Sequence, residues 1–117
     1  MAPARWSTWT KWNRNLLQTL GDAQRARAGD ASIDEAAERA TEPSVLDVHE
    51  LGSKRAAGIC WVLSAAELHQ HFGSKTPSKK AIEGGAEKFV AQLKKGEAVA
   101  VTAYLKGLPC AVLFAGA

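Results

Sequence analysis

The sequence predicts an α+β fold in which N-terminal helices and a central helix pack on a small antiparallel sheet. Several segments repeat apolar residues at helical spacing, which is typical of amphipathic helices. The C-terminal part instead contains two β-rich runs, 97–105 and 108–116, around the turn dipeptide Lys106–Gly107. The second run is nearly all apolar, so we expect a central strand that is covered on both faces.

Residues 6–20 have the spacing of a helix, with Gly21 as its C-terminal stop. Within this segment Trp6, Trp9 and Trp12 are three residues apart and alternate with basic side chains. The three rings could form an aromatic surface for a protein partner, a membrane surface or a nucleic acid. The alternative is that they cover the core of their own domain.

An alanine-rich, acidic stretch follows this segment. Asp30 or Ser32 could cap a short solvated helix that ends at Arg39, and the alternative is a flexible linker. We therefore divide the chain into an N-terminal helical segment with an acidic linker, 1–43, and an α+β core, 44–117.

The core begins with a short strand or extended segment, 44–51. Apolar residues at roughly helical spacing then predict a central helix over 60–72 that ends at Gly73. A second amphipathic helix is predicted over 86–95 and is closed by Gly96. The C-terminal hairpin supplies most of the predicted sheet.

Composition places the chain among globular proteins. It has 117 residues, of which 46% are hydrophobic and 23% are charged. Two cysteines are too few for a disulfide scaffold, so a reducing compartment is expected. No stretch resembles a secretory signal or reaches membrane-spanning length. The prediction is a cytoplasmic protein, with export by a specialised secretion system as the alternative.

The formal net charge of +3 is unevenly distributed. Residues 1–30 carry five Lys/Arg and two Asp, residues 31–50 one Arg and six acidic residues, and residues 51–117 nine Lys/Arg and four Glu. The acidic middle interrupts any continuous basic stripe of the kind that nucleic acids bind. A protein or peptide partner is therefore favoured over nucleic acid. The oligomeric state stays open.

No cofactor or metal is expected, because the sequence lacks the Cys–x–x–Cys and His–x–x–x–His spacings of zinc sites. The chemistry of the chain centres instead on Cys60. A cysteine at a helix N-terminus feels the positive end of the helix dipole, which favours thiolate. Gly58 would allow a tight turn and the close approach of a substrate.

The segment "GICWVLSAAEL" resembles the active-site segment of papain-like cysteine peptidases, whose nucleophile lies in a G-x-C-W-x-x-S-A pattern. The matching residues are Gly58, Cys60, Trp61, Ser64 and Ala65. The resemblance implies a reduced papain-like core over residues 44–117. It also implies that Cys60 is the nucleophile and that Gly58 and Trp61 line the substrate site.

The C-terminal run "LPCAVLFAG" resembles the histidine strand of bacterial members of that superfamily. Ala111, Val112 and Gly116 fit the pattern, but Cys110 stands where the family has its catalytic histidine. Lys54 takes the place of the glutamine that donates to the oxyanion hole. No residue matches the Asn or Asp that orients the histidine. These departures imply a catalytically impaired relative.

Among the three histidines, only His49 could serve Cys60 as a base. His69 and His71 follow Cys60 in the predicted helix by about 13–16 Å at 1.5 Å per residue, which is too far. The cations of Lys54 and its neighbour could lower the pKa of Cys60 without a histidine. Cys60 and Cys110 could also form a disulfide, bind a soft metal, or pack as small hydrophobic residues.

Three functional hypotheses follow. The first is a papain-related protein that has lost peptidase activity and acts by binding a protein partner. The second is an active thiol hydrolase that uses Cys60 with His49 as its base. The third is a small basic interaction module or inhibitor that binds through Trp6, Trp9 and Trp12.

Overall fold

A five-stranded mixed sheet runs through the centre of the molecule, in the strand order β1-β5-β4-β3-β2. The structure is a computed structural model that describes residues 5–117; residues 1–4 of the predicted N-terminal segment lie outside the described part. The elements are β1 (Trp6–Lys11), α1 (Leu16–Ala28), α2 (Ile33–Arg39), a 3-10 helix (Val45–Asp47), β2 (Glu50–Gly52), β3 (Ile59–Val62), α3 (Ala65–Phe72), α4 (Lys79–Val90), β4 (Ala98–Leu105) and β5 (Leu108–Gly116).

The predicted α+β class and the C-terminal hairpin are confirmed. Strands β4 and β5 pair antiparallel, and the turn residues Lys106 and Gly107 have φ values of 53° and 78°. Two consecutive left-handed residues match the twist that a two-residue hairpin turn needs. Strand β5 lies between β1 and β4, as expected for its apolar sequence.

The sheet is only half antiparallel, so the prediction of an antiparallel sheet is wrong for its other half. Strand β3 runs parallel to β4, and β2 runs parallel to β3. Helices α3 and α4 form the crossover between the parallel strands β3 and β4, whereas the short loop 53–58 joins the parallel strands β2 and β3.

The helix predicted over 6–20 is wrong for its first half. Residues 6–11 form β1, which pairs antiparallel with β5. Aromatic and β-branched residues favour strands, and pairing with β5 outweighs the helical spacing of the tryptophans. Helix α1 begins at Leu16 under an Asn15 cap and continues through Gly21, so Gly21 is not its stop.

The short acidic helix is confirmed, because the Ser32 side chain caps α2 and the helix ends at Arg39. The segment 44–51 is only partly a strand. Its first residues form the 3-10 helix, whose capping box joins Ser44 and Asp47, and β2 begins at Glu50.

The central helix does not start at Cys60, which is a correction to the predicted fold. Cys60 lies within β3, and α3 begins at Ala65. The start is set by a capping box: the Ser64 hydroxyl accepts from the Glu67 N–H, and the Glu67 carboxylate accepts from the Ser64 N–H. These reciprocal bonds satisfy two N–H groups and fix the first turn. The end of the helix before Gly73 is confirmed.

Helix α4 starts earlier and ends earlier than predicted. The Ser78 side chain caps it, and its last residue is Val90, six residues before Gly96. Helices cover both faces of the sheet, so the core has two parts. The part under α1 contains Leu20, Ala23, Val45, Val48, Cys60, Ala98, Ala100, Val112 and Phe114. The part under α3 and α4 contains Leu63, Leu68, Ile82, Phe89, Leu93, Val99, Val101, Ala103, Leu113, Ala115 and Ala117.

Candidate functional site

Cys60 lies in the interior of the sheet. Its register partners are Leu51 on β2 and Ala98 on β4, and its exposed fraction is 0%. Burial is the cause that raises the pKa of the Cys60 thiol from its ordinary value of 9.0 to about 12. The side chain is therefore an uncharged thiol at neutral pH, packed as a small hydrophobic residue in the α1 side of the core.

The residues expected to activate Cys60 make no side-chain hydrogen bond to it in the described part of the chain. His49 is exposed, its N–H donates to the carbonyl of Gly58, and no side-chain hydrogen bond joins it to Cys60 in the described part of the chain. Lys54 is exposed in the loop after β2. Arg55 donates to the Glu97 carboxylate and to the Gln92 carbonyl. The prediction that this basic loop lowers the Cys60 pKa is wrong, since the pKa is raised.

The two cysteines are far apart, which excludes the disulfide and the shared soft metal that the sequence left open for Cys60 and Cys110. Cys60 is in register with Ala98, which is in register with Gly116, and Cys110 lies six residues before Gly116. Six strand residues correspond to about 20 Å. Both thiols are free.

The three expected substrate-binding residues are not brought together. Gly58 lines a cavity of about 160 Å³ with Gly96 and Ala98. Trp61 packs against Phe89 on the opposite face of the sheet, with ring centroids 5.5 Å apart. Its buried Nε1 has no hydrogen-bond partner among the described residues. Lys54 contributes neither to this cavity nor to the contact between Trp61 and Phe89.

The three N-terminal tryptophans are divided between the two faces of the extended segment that β1 and Trp12 form. Trp6 and Trp12 pack against the core under α1, and Trp9 packs against the core under α3 and α4. The Trp6 indole lies against Gly116, where an added Cβ would come within 2.7 Å of three ring atoms. The Lys79 ammonium lies 5.0 Å from the centre of the Trp9 ring. All three rings are half-buried, so they contribute to the core and also reach the surface.

Strand β1 forms an open edge of the sheet. The Trp12 N–H donates to the Cys110 carbonyl of β5 at 3.1 Å. In an antiparallel pair, alternate residues direct both backbone groups toward the partner strand. The even-numbered residues of this segment therefore bond to β5, and the N–H and C=O groups of Ser7, Trp9 and Lys11 point away from the sheet.

Two cavities flank this edge, one on each face. The α1-side cavity has about 510 Å³ and is lined by β1 together with Ala23, Ala26, Arg27, Glu42 and Pro43. The α4-side cavity has about 360 Å³ and is lined by β1 together with Glu83, Ala86, Glu87 and Val90. Both cavities share Arg5, Trp6 and Ser7. They therefore lie back to back across the first half of β1.

Arg5 fixes the start of this edge. Its guanidinium donates to the carbonyls of Val90, Ala91 and Leu93 at 2.9–3.0 Å. These carbonyls lie at and just beyond the C-terminal end of α4, where a cation is favourable. The first residue of the described chain is thus tied to the wall of the α4-side cavity.

The sequence pattern pointed to the tryptophans but not to the charged residues that line the two cavities. The missed side chains are Arg5, Arg27, Glu42, Glu83 and Glu87. A signal was present for two of them, because Glu83 and Glu87 are four residues apart and lie on one side of a helix.

Among residues 5–117, no group of three His, Cys, Asp or Glu side chains is placed to hold a metal ion. In the same part of the chain, no helix has the length and apolarity needed to cross a membrane. No protein-family model, curated protein or solved structure matches this chain.

Proposed function

We propose that this protein is a binding module that takes up an extended segment of a protein partner as an additional strand beside β1. The observation that carries the proposal is the open edge of β1 with a cavity on each of its faces. In strand addition, main-chain hydrogen bonds supply affinity, and pockets for alternate side chains supply specificity. Ser7, Trp9 and Lys11 offer the backbone groups, and the two cavities offer the pockets.

The back-to-back position of the cavities suits an extended guest. Consecutive side chains of a strand point to opposite faces of the sheet. A guest beside Ser7 would place one residue toward the α1-side cavity and the next toward the α4-side cavity. Trp6 and Trp9 supply aromatic contact area on the two faces, and aromatic side chains are enriched at protein interfaces.

This proposal joins the partner binding of the first hypothesis to the tryptophan segment of the third. It assigns no reaction to Cys60. Thiolate is the nucleophile in cysteine catalysis, and a thiol with a pKa of about 12 is almost wholly protonated at neutral pH. The resemblance to papain-like peptidases therefore carries no weight in the proposed function.

A phage-displayed library of random dodecapeptides provides the test. We expect enriched peptides whose binding slows hydrogen exchange at the amides of Ser7, Trp9 and Lys11. Ser7→Pro should abolish binding, because it removes an outward N–H that β5 does not use. Ser7→Ala is the matched control, since it removes the same hydroxyl but keeps that N–H, and it should retain binding.

Two results would overturn the proposal. One is that no peptide is enriched. The other is that enriched peptides bind Ser7→Pro with unchanged affinity and leave the three edge amides unprotected, which would place the docking surface elsewhere.

A further inference from the structure

We infer that the segment bound at β1 carries a lysine or arginine at the position that enters the α4-side cavity. This inference rests on the proposed function, because it names the chemistry of the guest that the β1 edge would accept.

The α4-side cavity presents two carboxylates to a guest strand. Glu83 and Glu87 line it from α4, opposite Ser7 and Trp9 of β1. They lie one helical turn apart, where like charges repel each other and weaken the helix. A guest cation between them would offset this repulsion, because it attracts both carboxylates.

Two cations of the protein lie beside this cavity, Arg5 and Lys79, and neither forms an ion pair with Glu83 or Glu87 in the described part of the chain. The salt bridges in the described part of the chain join Arg25 to Asp22 and Arg55 to Glu97, and neither includes Glu83 or Glu87. The Arg5 guanidinium, which also lines the cavity, is held by three carbonyls at the end of α4. The Lys79 ammonium lies over the Trp9 ring.

The remaining walls fit the stem of a long basic side chain. Ala86, Val90, Leu113 and the Trp9 ring give the cavity an apolar lining beside the carboxylates. Lysine and arginine bury their methylene groups along such surfaces while the charged end stays near polar groups. A short acidic or amide side chain would gain neither the contact with the apolar lining nor the attraction to the two carboxylates.

The α1-side cavity has no such pair of like charges for a guest, because the Arg5 guanidinium is held by the carbonyls at the end of α4 and the other charged lining residues are one cation, Arg27, and one anion, Glu42. Only one of the two alternating positions of the guest is therefore specified by charge. The expected recognition pattern is a basic residue flanked on both sides by residues that face the α1-side cavity.

Three acetylated and amidated heptapeptides test this inference, with the sequence Thr-Val-Xaa-Val-Xaa-Val-Thr and lysine, glutamine or glutamate at both Xaa positions. Titration calorimetry should show that the lysine peptide binds about 10-fold more tightly than the glutamine peptide, and that the glutamate peptide binds most weakly. The double variant Glu83→Gln/Glu87→Gln should bind the lysine and glutamine peptides equally. Glu35→Gln/Glu38→Gln on α2 is the matched control, since it makes the same change in net charge away from the cavity.

The outcomes separate this inference from the proposed function. Equal affinity for all three peptides, abolished by Ser7→Pro, would overturn the cation preference and leave strand docking intact. A lysine preference that Glu83→Gln/Glu87→Gln leaves unchanged would also overturn the inference. Lack of binding by all three peptides, or binding that Ser7→Pro leaves unchanged, would overturn both.

Discussion

The two edges of the sheet differ in length and in what surrounds them. Strand β1 has six residues and is flanked by two cavities, whereas β2 has three residues and leads directly into the basic Lys54–Arg55 loop. Natural sheets protect their edges with short strands and charged neighbours, because unpaired backbone groups attract other chains. The β2 edge has both forms of protection and the β1 edge lacks the first, which is why we place binding at β1.

We expect the largest effect from proline substitutions in β1, which compare a residue bonded to β5 with a residue whose N–H points away from the sheet. Thr8→Pro removes an N–H that pairs with β5 and leaves its acceptor on β5 without that partner, so we expect the free energy of unfolding to fall by up to about 3 kcal/mol. Ser7→Pro removes an N–H that points away from the sheet, a position where edge strands tolerate proline. Urea denaturation of the two variants measures the difference, and equal losses would contradict the assignment of the open side.

The second prediction compares the glycines near the two edges. An added Cβ at Gly116 would meet the rigid Trp6 indole at 2.7 Å, whereas at Gly52 it would meet one methyl of the half-buried Ile59 at 2.6 Å. We expect Gly116→Ala to cost about 2 kcal/mol and Gly52→Ala about 1 kcal/mol, since overpacking is more costly where the neighbour cannot move. Denaturation midpoints check the order, and a costlier Gly52→Ala would show that Ile59 is the less adaptable contact.

The third prediction concerns Cys60, which lies on β3, the strand that pairs with the edge strand β2. Its pKa is raised on folding, so its contribution to stability is complete below pH 9.0 and is lost as the pH rises toward 12. Between about pH 8 and about pH 10, the wild type should lose about 1.4 kcal/mol more than Cys60→Ala.

Chemical denaturation of both proteins across that pH interval measures this difference. Iodoacetamide gives a second readout: in the native protein it should modify the partly buried Cys110, and it should modify Cys60 only after denaturation. If the free energies of unfolding of the two proteins depend equally on pH, or if Cys60 is labelled rapidly in the native protein, then this thiol is accessible to solvent and the prediction is wrong.

The smallest expected effect compares two arginines. Arg5 ties β1 to three carbonyls at the end of α4, whereas Arg55 ties the loop after β2 to Glu97 and the Gln92 carbonyl. Arg5→Ala should lower the free energy of unfolding by about 1 kcal/mol. Arg55→Ala should lower it by about 0.5 kcal/mol, because the Arg55 side of its ion pair with Glu97 is partly exposed to solvent. Arg5→Lys should fail to restore stability, since a single ammonium cannot reach all three carbonyls. A larger loss for Arg55→Ala would reverse the comparison.

The C-terminal hairpin was predictable because its signals are local. Strand-favouring residues, among them Val99 and Val101 before the turn and Val112 and Phe114 after it, flank a Lys–Gly turn, and pairing between neighbours in sequence needs no distant information. The capping box formed by Ser64 and Glu67 is an equally local signal, and it marks the start of α3. The helical spacing of the residues before it placed the predicted start too early, at Cys60. Where two local signals compete, the cap is the better guide to a boundary.

The β1 edge was not predictable, because it depends on contacts between distant parts of the chain. The spacing of Trp6, Trp9 and Trp12 fits a helix, and only pairing with β5 makes this segment a strand. The α4-side cavity joins Ser7 to Glu83, residues that no local pattern connects.

The pairing of β1 with β5 also determines when the edge can form during synthesis. Trp6 pairs with Gly116, so β1 has no strand partner until the far end of the described chain has left the ribosome. Contacts of such long sequence separation form slowly and leave apolar strands exposed in the meantime. The tryptophan-rich segment therefore passes through translation as an unpaired, aggregation-prone strand, and we expect a chaperone that shields it to raise the yield of folded protein.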